Sequence, residues 1–226
     1  MTKQILPKVF AWMCFGLLVT FLTGYVLSLN PTAVINMASS FGGWGLLILA
    51  IIEIGLVIFL SARITKMSPL TAKLSFLLYA FVSGLTFSSI FLVYEITSVL
   101  YVFLITSIVF ALFAIIGATT KMDLTKIGTY LFMALLAVVI CMIINIFMQN
   151  STFDLIISII AIIIFVGFTA YDVQKLIKLG TLNVMDEDNL AIYGALDLYL
   201  DYINLFIHLL SIFGNNRDWL IKKNIL

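Results

Sequence analysis

Two aspartates stand where a bilayer tolerates few. Residues 189–213, NLAIYGALDLYLDYINLFIHLLSIF, are apolar enough to cross a membrane, yet they contain Asp197, Asp201 and His208. A carboxylate in the hydrocarbon core costs about 2.5–3.5 kcal/mol even on the mildest insertion scale, so such a residue marks a candidate functional site. A further acid, Asp172, lies in the preceding apolar run, within FTAYDVQKL. Carboxylates that meet at low dielectric cannot both ionise cheaply; they share a proton and respond to pH. Paired carboxylate oxygens also suit a hard cation such as Ca2+. The chemistry on offer is proton sensing and cation passage.

The elements that must position these acids follow from composition. Of 226 residues, 63% are hydrophobic and 10% charged, where a soluble domain carries about 25% charged. Several runs reach the roughly 20 apolar residues that cross a bilayer. The expected fold is all-α: a polytopic membrane protein of seven transmembrane helices in one domain, residues 1–226. Spans are expected at about 9–29, 43–62, 73–94, 98–118, 127–148, 155–177 and 190–213, separated by short breaks of charge, Gly, Pro or Asn. The run after Lys3 and Lys8 is too long for a signal-peptide core and reads as a retained first span. Cys14 and Cys141 both fall inside spans and read as packing residues. A net charge of +1 leaves no nucleic-acid footprint, so the expected partner is the lipid bilayer.

Orientation follows from the basic residues. With the N-terminus inside, Lys3, Lys8, Arg63, Lys66, Lys73, Lys121, Lys126, Lys175 and Lys178 lie on the inner side, nine of the twelve. This is the positive-inside pattern. Arg217, Lys222 and Lys223 follow the last span. A full seventh crossing puts them outside; the alternative is a last segment that re-enters and returns. Trp44, Tyr94, Tyr101 and Trp219 fall near outer ends, as interfacial aromatics do. The expected location is the cell membrane, multi-pass, with a cytoplasmic N-terminus.

At about 100° per residue, Tyr193, Asp197, Asp201, Asn204 and His208 share a helical sector of about 80°, and Asn189 sits about 40° outside it. A polar stripe of this kind must face protein or water. The simplest placement is a central last helix surrounded by the other six. Tyr193 and Asn204 can be plain interhelical hydrogen-bonding groups, and His208 a satisfied core histidine. By helical rise, Asp172 lies about 8 Å from its inner end, Asp197 about 10 Å and Asp201 about 16 Å. Either of the last two can therefore partner Asp172. Glu53, mid-span in ILAIIEIGLVIFL, reads as lining a cavity or as an acid bonded to a neighbouring helix. Arg63 reads as an inner-surface anchor or as a counter-ion for Asp172. Ser83, Gly84, Thr86, Ser88 and Ser89 suit close helix approach and interhelical hydrogen bonds.

The segments YDVQKL at Tyr171–Leu176 and ALDLYLDYINLFIHLL at Ala195–Leu210, with FVSGLTFSSIFLVY and ITSIVFALFAIIG earlier, resemble the Bax inhibitor-1 (transmembrane BAX inhibitor motif) family. The resemblance spans nearly the whole chain, and the short loops are similar to those of bacterial members. It implies a seven-helix fold whose last helix is wrapped by two three-helix layers. It also implies a pH-sensitive calcium leak. The family's paired aspartates map to Asp172 and Asp201, as the pH-sensing and cation-contacting pair. A buried acid and a basic residue in the family's second span match Glu53 and Arg63. The role of Asp197 stays open.

The expected function is thus a pH-sensitive calcium leak. Asp172, Asp201 and Arg63 gate it, and Glu53, Asp197, Asp201, Asn204 and His208 lie along the ion route. Ca2+ and protons are its small partners, Ca2+ is permeant or weakly bound, and no cofactor is tightly bound. No enzyme is expected. An intramembrane aspartyl protease would show Gly-x-Gly-Asp and a late Pro-Ala-Leu; here the acids follow Gly194-Ala-Leu and Leu198-Tyr-Leu, and the prolines are Pro7, Pro31 and Pro69. A proton-coupled transporter would show inverted repeats and broken helices. A pure interaction protein would carry no flux when reconstituted alone.

Overall fold

The computed structural model describes residues 5–182 and 185–216. The described residues form eight α-helices: α1 Ile5–Ser28, α2 Pro31–Gly43, α3 Gly45–Arg63, α4 Pro69–Val93, α5 Ile96–Thr119, α6 Thr125–Met148, α7 Ser151–Leu182 and α8 Glu187–Phe213. All but α2 are long and apolar enough to span a bilayer. A lipid-exposed backbone must satisfy itself internally, and a continuous helix does so. Lys3, Arg217, Trp219, Lys222 and Lys223 lie outside the described residues.

Local chemistry sets the helix boundaries. Asn30 caps α2 through its side chain, with Pro31 in the first turn, where the missing N–H costs nothing. Ser68 and Pro69 repeat that arrangement at α4. Asp186 accepts the Asp188 N–H at the start of α8, at 3.1 Å. Gln149 adopts a left-handed conformation, φ 50°, and stops α6. The thirteen-residue α2 replaces an expected loop: it is too short to cross a membrane, but Asn30-Pro31 is a helix start. The expected span limits fell short for α7 and α8, because polar turns at their ends continue the helix beyond the apolar run.

The last helix is central. Sixteen of its 27 residues are buried. Its sheath is narrower than expected, with α1, α4, α5 and α7 as its main partners. Helices α3 and α6 form an outer tier, docked chiefly on α4 and α7. Only Gly45 and Leu60 of α3 and Gly128 and Val138 of α6 are buried. A lipid solvent offers little hydrophobic drive between helices, so close packing and polar contacts hold the bundle. Thr20 Oγ1 donates to the Ala80 carbonyl at 2.8 Å and shares a 2.7 Å hydrogen bond with Tyr199 Oη, tying α1, α4 and α8. The small residues of α4 serve close approach as expected: a Cβ on Gly84 would lie 2.6 Å from Thr23 Cβ.

Helix α8 traverses the whole bundle. At its start, Glu187 meets Lys8 at 2.7 Å and Asp188 meets Lys73 at 2.6 Å, at the basic end. Beyond its other end, the Asn215 carbonyl accepts the Glu95 N–H at 3.1 Å, and the Asn215 N–H donates to Ser98 Oγ at 2.9 Å. The chain therefore leaves α8 beside the α4–α5 turn, opposite the basic end. A re-entrant last segment is ruled out. Trp44 and Tyr101 are exposed. Both cysteines are free, as expected: Cys141 packs against the core, whereas Cys14 is exposed and lines an apolar groove of about 700 Å³ between α1 and α5.

Candidate functional site: a carboxylate cluster between the last two helices

The acids converge at the α7–α8 seam. Asp172 and Asp201 keep only 7% and 5% of their surfaces exposed. Asp172 lies ten residues before the end of α7, roughly 15 Å by helical rise. The helix runs on past the apolar run, so Asp172 lies farther from the helix end than the expected span limit implied. Gly194 lets α8 sit close beneath the cluster: a Cβ there would lie 2.6 Å from Leu176 Cδ2. The Asp201 carboxyl is buried in the same α7–α8 seam as that of Asp172. Its Oδ2 is fully buried and meets no hydrogen-bond partner. A buried polar atom left unpaired is costly, which makes this oxygen the cluster's open valence.

The counter-ion is Lys175. Its Nζ lies 2.7 Å from Asp172 Oδ1 and 2.7 Å from Asp197 Oδ2. The ring centroids of Tyr171 and Tyr193 stand 5.6 Å and 5.3 Å from the same nitrogen. An ammonium over an aromatic face gains from the ring quadrupole. Of the two candidates for partnership with Asp172, Asp197 is joined to it through Lys175, and Asp201 is buried in the same seam. Sequence reasoning counted Lys175 among the inner-surface anchors. The missed signal is its spacing, Asp172-x-x-Lys175, which puts ammonium and carboxylate on one helix face.

Arg63 does not take the expected place beside Asp172. It is exposed at the end of α3, while the next residue, Ile64, is fully buried. Helix α3 packs mainly on α2 and α4, so its end is not brought to α7. No ion pair among the described residues involves Arg63.

The rest of the stripe is divided. His208 is buried; its Nδ1 lies 3.3 Å from Ser158 Oγ, and Phe165 stacks on its ring at 6.3 Å. Asn204 turns its amide back onto the Leu200 carbonyl of its own helix, at 2.8 Å. Nearer the end of α8, Ser211 Oγ donates to Asp154 at 3.4 Å. Asn189, outside the stripe, is buried too, and its amide donates to the Met67 carbonyl at 2.9 Å. Glu53 stands apart from the cluster. Thr86 Oγ1 donates to one of its oxygens and Ser83 Oγ to the other, the latter at 3.4 Å. The arrangement is that of an acid bonded to a neighbouring helix, and Glu53 is half-buried rather than enclosed.

A further charge pair has its acid in the connection between two spans. Asp123, in the α5–α6 connection, accepts from Lys178 Nζ at 2.5 Å. That bond, with those from Thr125, holds its carboxyl well below the usual carboxylate range.

Comparison with known proteins places this geometry. Residues 2–218 match the family described as inhibitor of apoptosis-promoting Bax1. The inner membrane protein YbhL of Escherichia coli is 40% identical over 219 residues, 95% of this chain and 93% of that one. An uncharacterized protein of Borreliella burgdorferi is 38% identical over 219 residues, 96% of this chain and 94% of the relative. An uncharacterized membrane protein of Streptococcus pyogenes is 40% identical over 168 residues, 74% of this chain and 73% of the relative. With seven membrane-length helices and a match of nearly full length, the chain belongs to the Bax inhibitor family of multi-pass membrane proteins.

Proposed function

We propose that this protein is a passive, pH-sensitive calcium leak gated by the Asp172–Asp201 pair. The observation that carries the reading is the buried, unpartnered Oδ2 of Asp201 in the same seam as Asp172. Two carboxyls so placed hold one proton between them, and losing it adds a negative charge that the seam must accommodate. The protein lies in the cell membrane with its N-terminus and basic end cytoplasmic, by the positive-inside pattern. Calcium runs inward, helped by about 2.3 kcal/mol per charge for each 100 mV of inside-negative potential. The reading requires no energy source.

The described arrangement is the closed form of this path. Beyond Asp201, the seam is filled by Phe165 on His208 and by the His208–Ser158 contact. Opening requires these side chains to part, after which Asn204 and His208 offer polar contacts to a moving ion. Asp197 and Asp201 supply carboxylate oxygens, and Glu53 a separate polar contact on the α3–α4 side. Calcium enters in this reading as cargo held weakly by Asp172 and Asp201. Arg63 serves as a cytoplasmic-surface anchor in this state. An aspartyl protease would need a water between two carboxyls, whereas Asp172 is committed to Lys175.

The test is calcium entry into liposomes holding the purified protein, from about pH 5 to 8, a range wide enough for a shared proton to leave. Wild type should show pH-dependent entry, and Asp172→Asn and Asp201→Asn should each flatten that dependence. No entry at any pH, in wild type and variants alike, overturns the proposal.

A further inference from the structure

The ammonium of Lys175 sits in what is, chemically, a cation site. Two carboxylates approach it at 2.7 Å and two tyrosine rings flank it. The unpartnered Oδ2 of buried Asp201 stands in the same cluster. The Lys175 side chain is 25% exposed, so the position is reachable from outside the seam. The charged and titratable groups around it come from α7 (Asp172, Tyr171) and α8 (Asp197, Asp201, Tyr193).

We infer that Lys175 is a tethered cation that fills the place a divalent ion would take between Asp172 and Asp197, and so sets how strongly the cluster admits calcium. The functional consequence rests on the leak proposed above; the competition for the site does not. A charge ledger makes the inference specific. Asp172 and Asp201 with one shared proton carry one negative charge, and Asp197 a second. Lys175 cancels one of them, leaving about −1 overall, a poor match for a divalent ion. Without the ammonium the cluster carries about −2, which a calcium ion neutralises. Without the Asp197 charge, and with Lys175 in place, the cluster is neutral and repays no cation.

Three full-length variants, purified in detergent, test this. Calcium binding is read directly with radioactive calcium and independently as a calcium-dependent rise in melting temperature, since a ligand of the folded state stabilises it by mass action. Lys175→Met should bind calcium at least about tenfold more tightly than wild type, since bonds between charged groups compete for the same oxygens. Lys175→Arg should restore the weak binding of wild type, and Asp197→Asn should bind more weakly still. In liposomes, Lys175→Met should raise calcium entry several-fold and Asp197→Asn should lower it. A merely structural lysine would lower the melting temperature of Lys175→Met without any new response to calcium.

The outcomes separate the two claims. Wild type that leaks, with a folded Lys175→Met unchanged in binding and leak, overturns the inference and spares the proposed function. Tight calcium binding by Lys175→Met in a protein that never leaks supports the inference and overturns the leak. Should Lys175→Met fail to fold, Lys175→Gln decides: calcium binding and entry equal to wild type overturn the inference, and a rise in both supports it.

Discussion

The seam between α5 and α7 offers the most direct check on how the carboxylate helix is held. Gly117 of α5 faces the backbone of Ala170 on α7. A Cβ added there would lie 2.2 Å from the Ala170 carbonyl oxygen and 2.8 Å from its Cα, where ordinary contact begins at 3.4 Å. The obstacle is main chain, which cannot rotate away. Gly117→Ala must therefore push the helices apart by about 1.2 Å at this point. Overpacking of a filled interior costs about 1–3 kcal/mol. For a chain of this size, each kcal/mol moves the melting temperature by about 2–4 °C. Thermal denaturation in detergent should show a fall of several degrees. Gly55→Ala is the control. Nothing lies within 4 Å of the Cβ added at Gly55, in the interior of α3. The change there should be neutral or should stabilise by about 0.5–1 kcal/mol, as alanine does in a helix. Because Ala170 lies two residues before Asp172, Gly117→Ala should also alter the pH dependence of calcium entry, and Gly55→Ala should not. If the two variants melt together, α5 and α7 are not in the contact described, and the support of Asp172 has been misread.

Two further predictions concern groups outside the cluster. Glu53→Gln keeps a carbonyl oxygen to accept from Thr86 and turns an amide N–H to the Ser83 hydroxyl oxygen, so its melting temperature should stay within a degree or two of wild type while calcium entry falls several-fold. Unchanged entry removes Glu53 from the ion route. Asp123 is held below the ordinary carboxylate range by Lys178. A carboxyl lowered in the folded state contributes stability that is full at neutral pH and is lost as pH falls through the folded value. The difference in melting temperature between wild type and Asp123→Asn should therefore be small at neutral pH, as for exposed pairs, and vanish towards low pH. A difference unchanged from about pH 7 down to about pH 2 would refute the assignment.

Periodicity and hydropathy carried the sequence reading as far as local structure allows. The stripe on the last span was legible because 100° per residue is a property of any helix. Burial of Asp201 and His208 bears it out. Depth along a helix was less legible: polar residues after Leu176 look like a membrane exit, yet α7 continues to Leu182. The counter-ion was not legible at all from charge position alone. A lysine near a predicted cytoplasmic end fits the anchoring pattern as well as Arg63 does. Which of the two reaches Asp172 depends on whether α3 or α7 lies beside it, and that is tertiary. Tyr199 and Tyr202, which lie off that stripe, are buried links whose partners only the tertiary structure supplies. Tyr199 meets Thr20, and Tyr202 meets Ser107 at 2.8 Å and donates to the Phe103 carbonyl at 3.0 Å.

Those links bear on how a gate at this seam must move. Helix α8 is fastened on three sides by contacts of different kinds. Towards α1 and α4 the fastening is the Thr20–Tyr199 bond inside the bundle, with the Lys8–Glu187 and Lys73–Asp188 pairs at the basic end, and towards α5 it is the Tyr202–Ser107 bond. The hydrogen bonds are neutral and the two ion pairs involve none of the seam's carboxyls, so neither kind answers to the loss of the shared proton. Towards α7 the fastening is charged: Asp172, Lys175, Asp197 and the unpaired oxygen of Asp201. Only this side changes its interaction energy when the shared proton leaves or a cation arrives. A ligand shifts an equilibrium only as far as it interacts differently with the two states. Under the proposed function, α8 therefore stays fixed to α1, α4 and α5, and α7 is the element that moves. Helix α6, whose main contact is α7, moves with it. The mobile pair would part Phe165 from His208, the contact that fills the seam beyond Asp201.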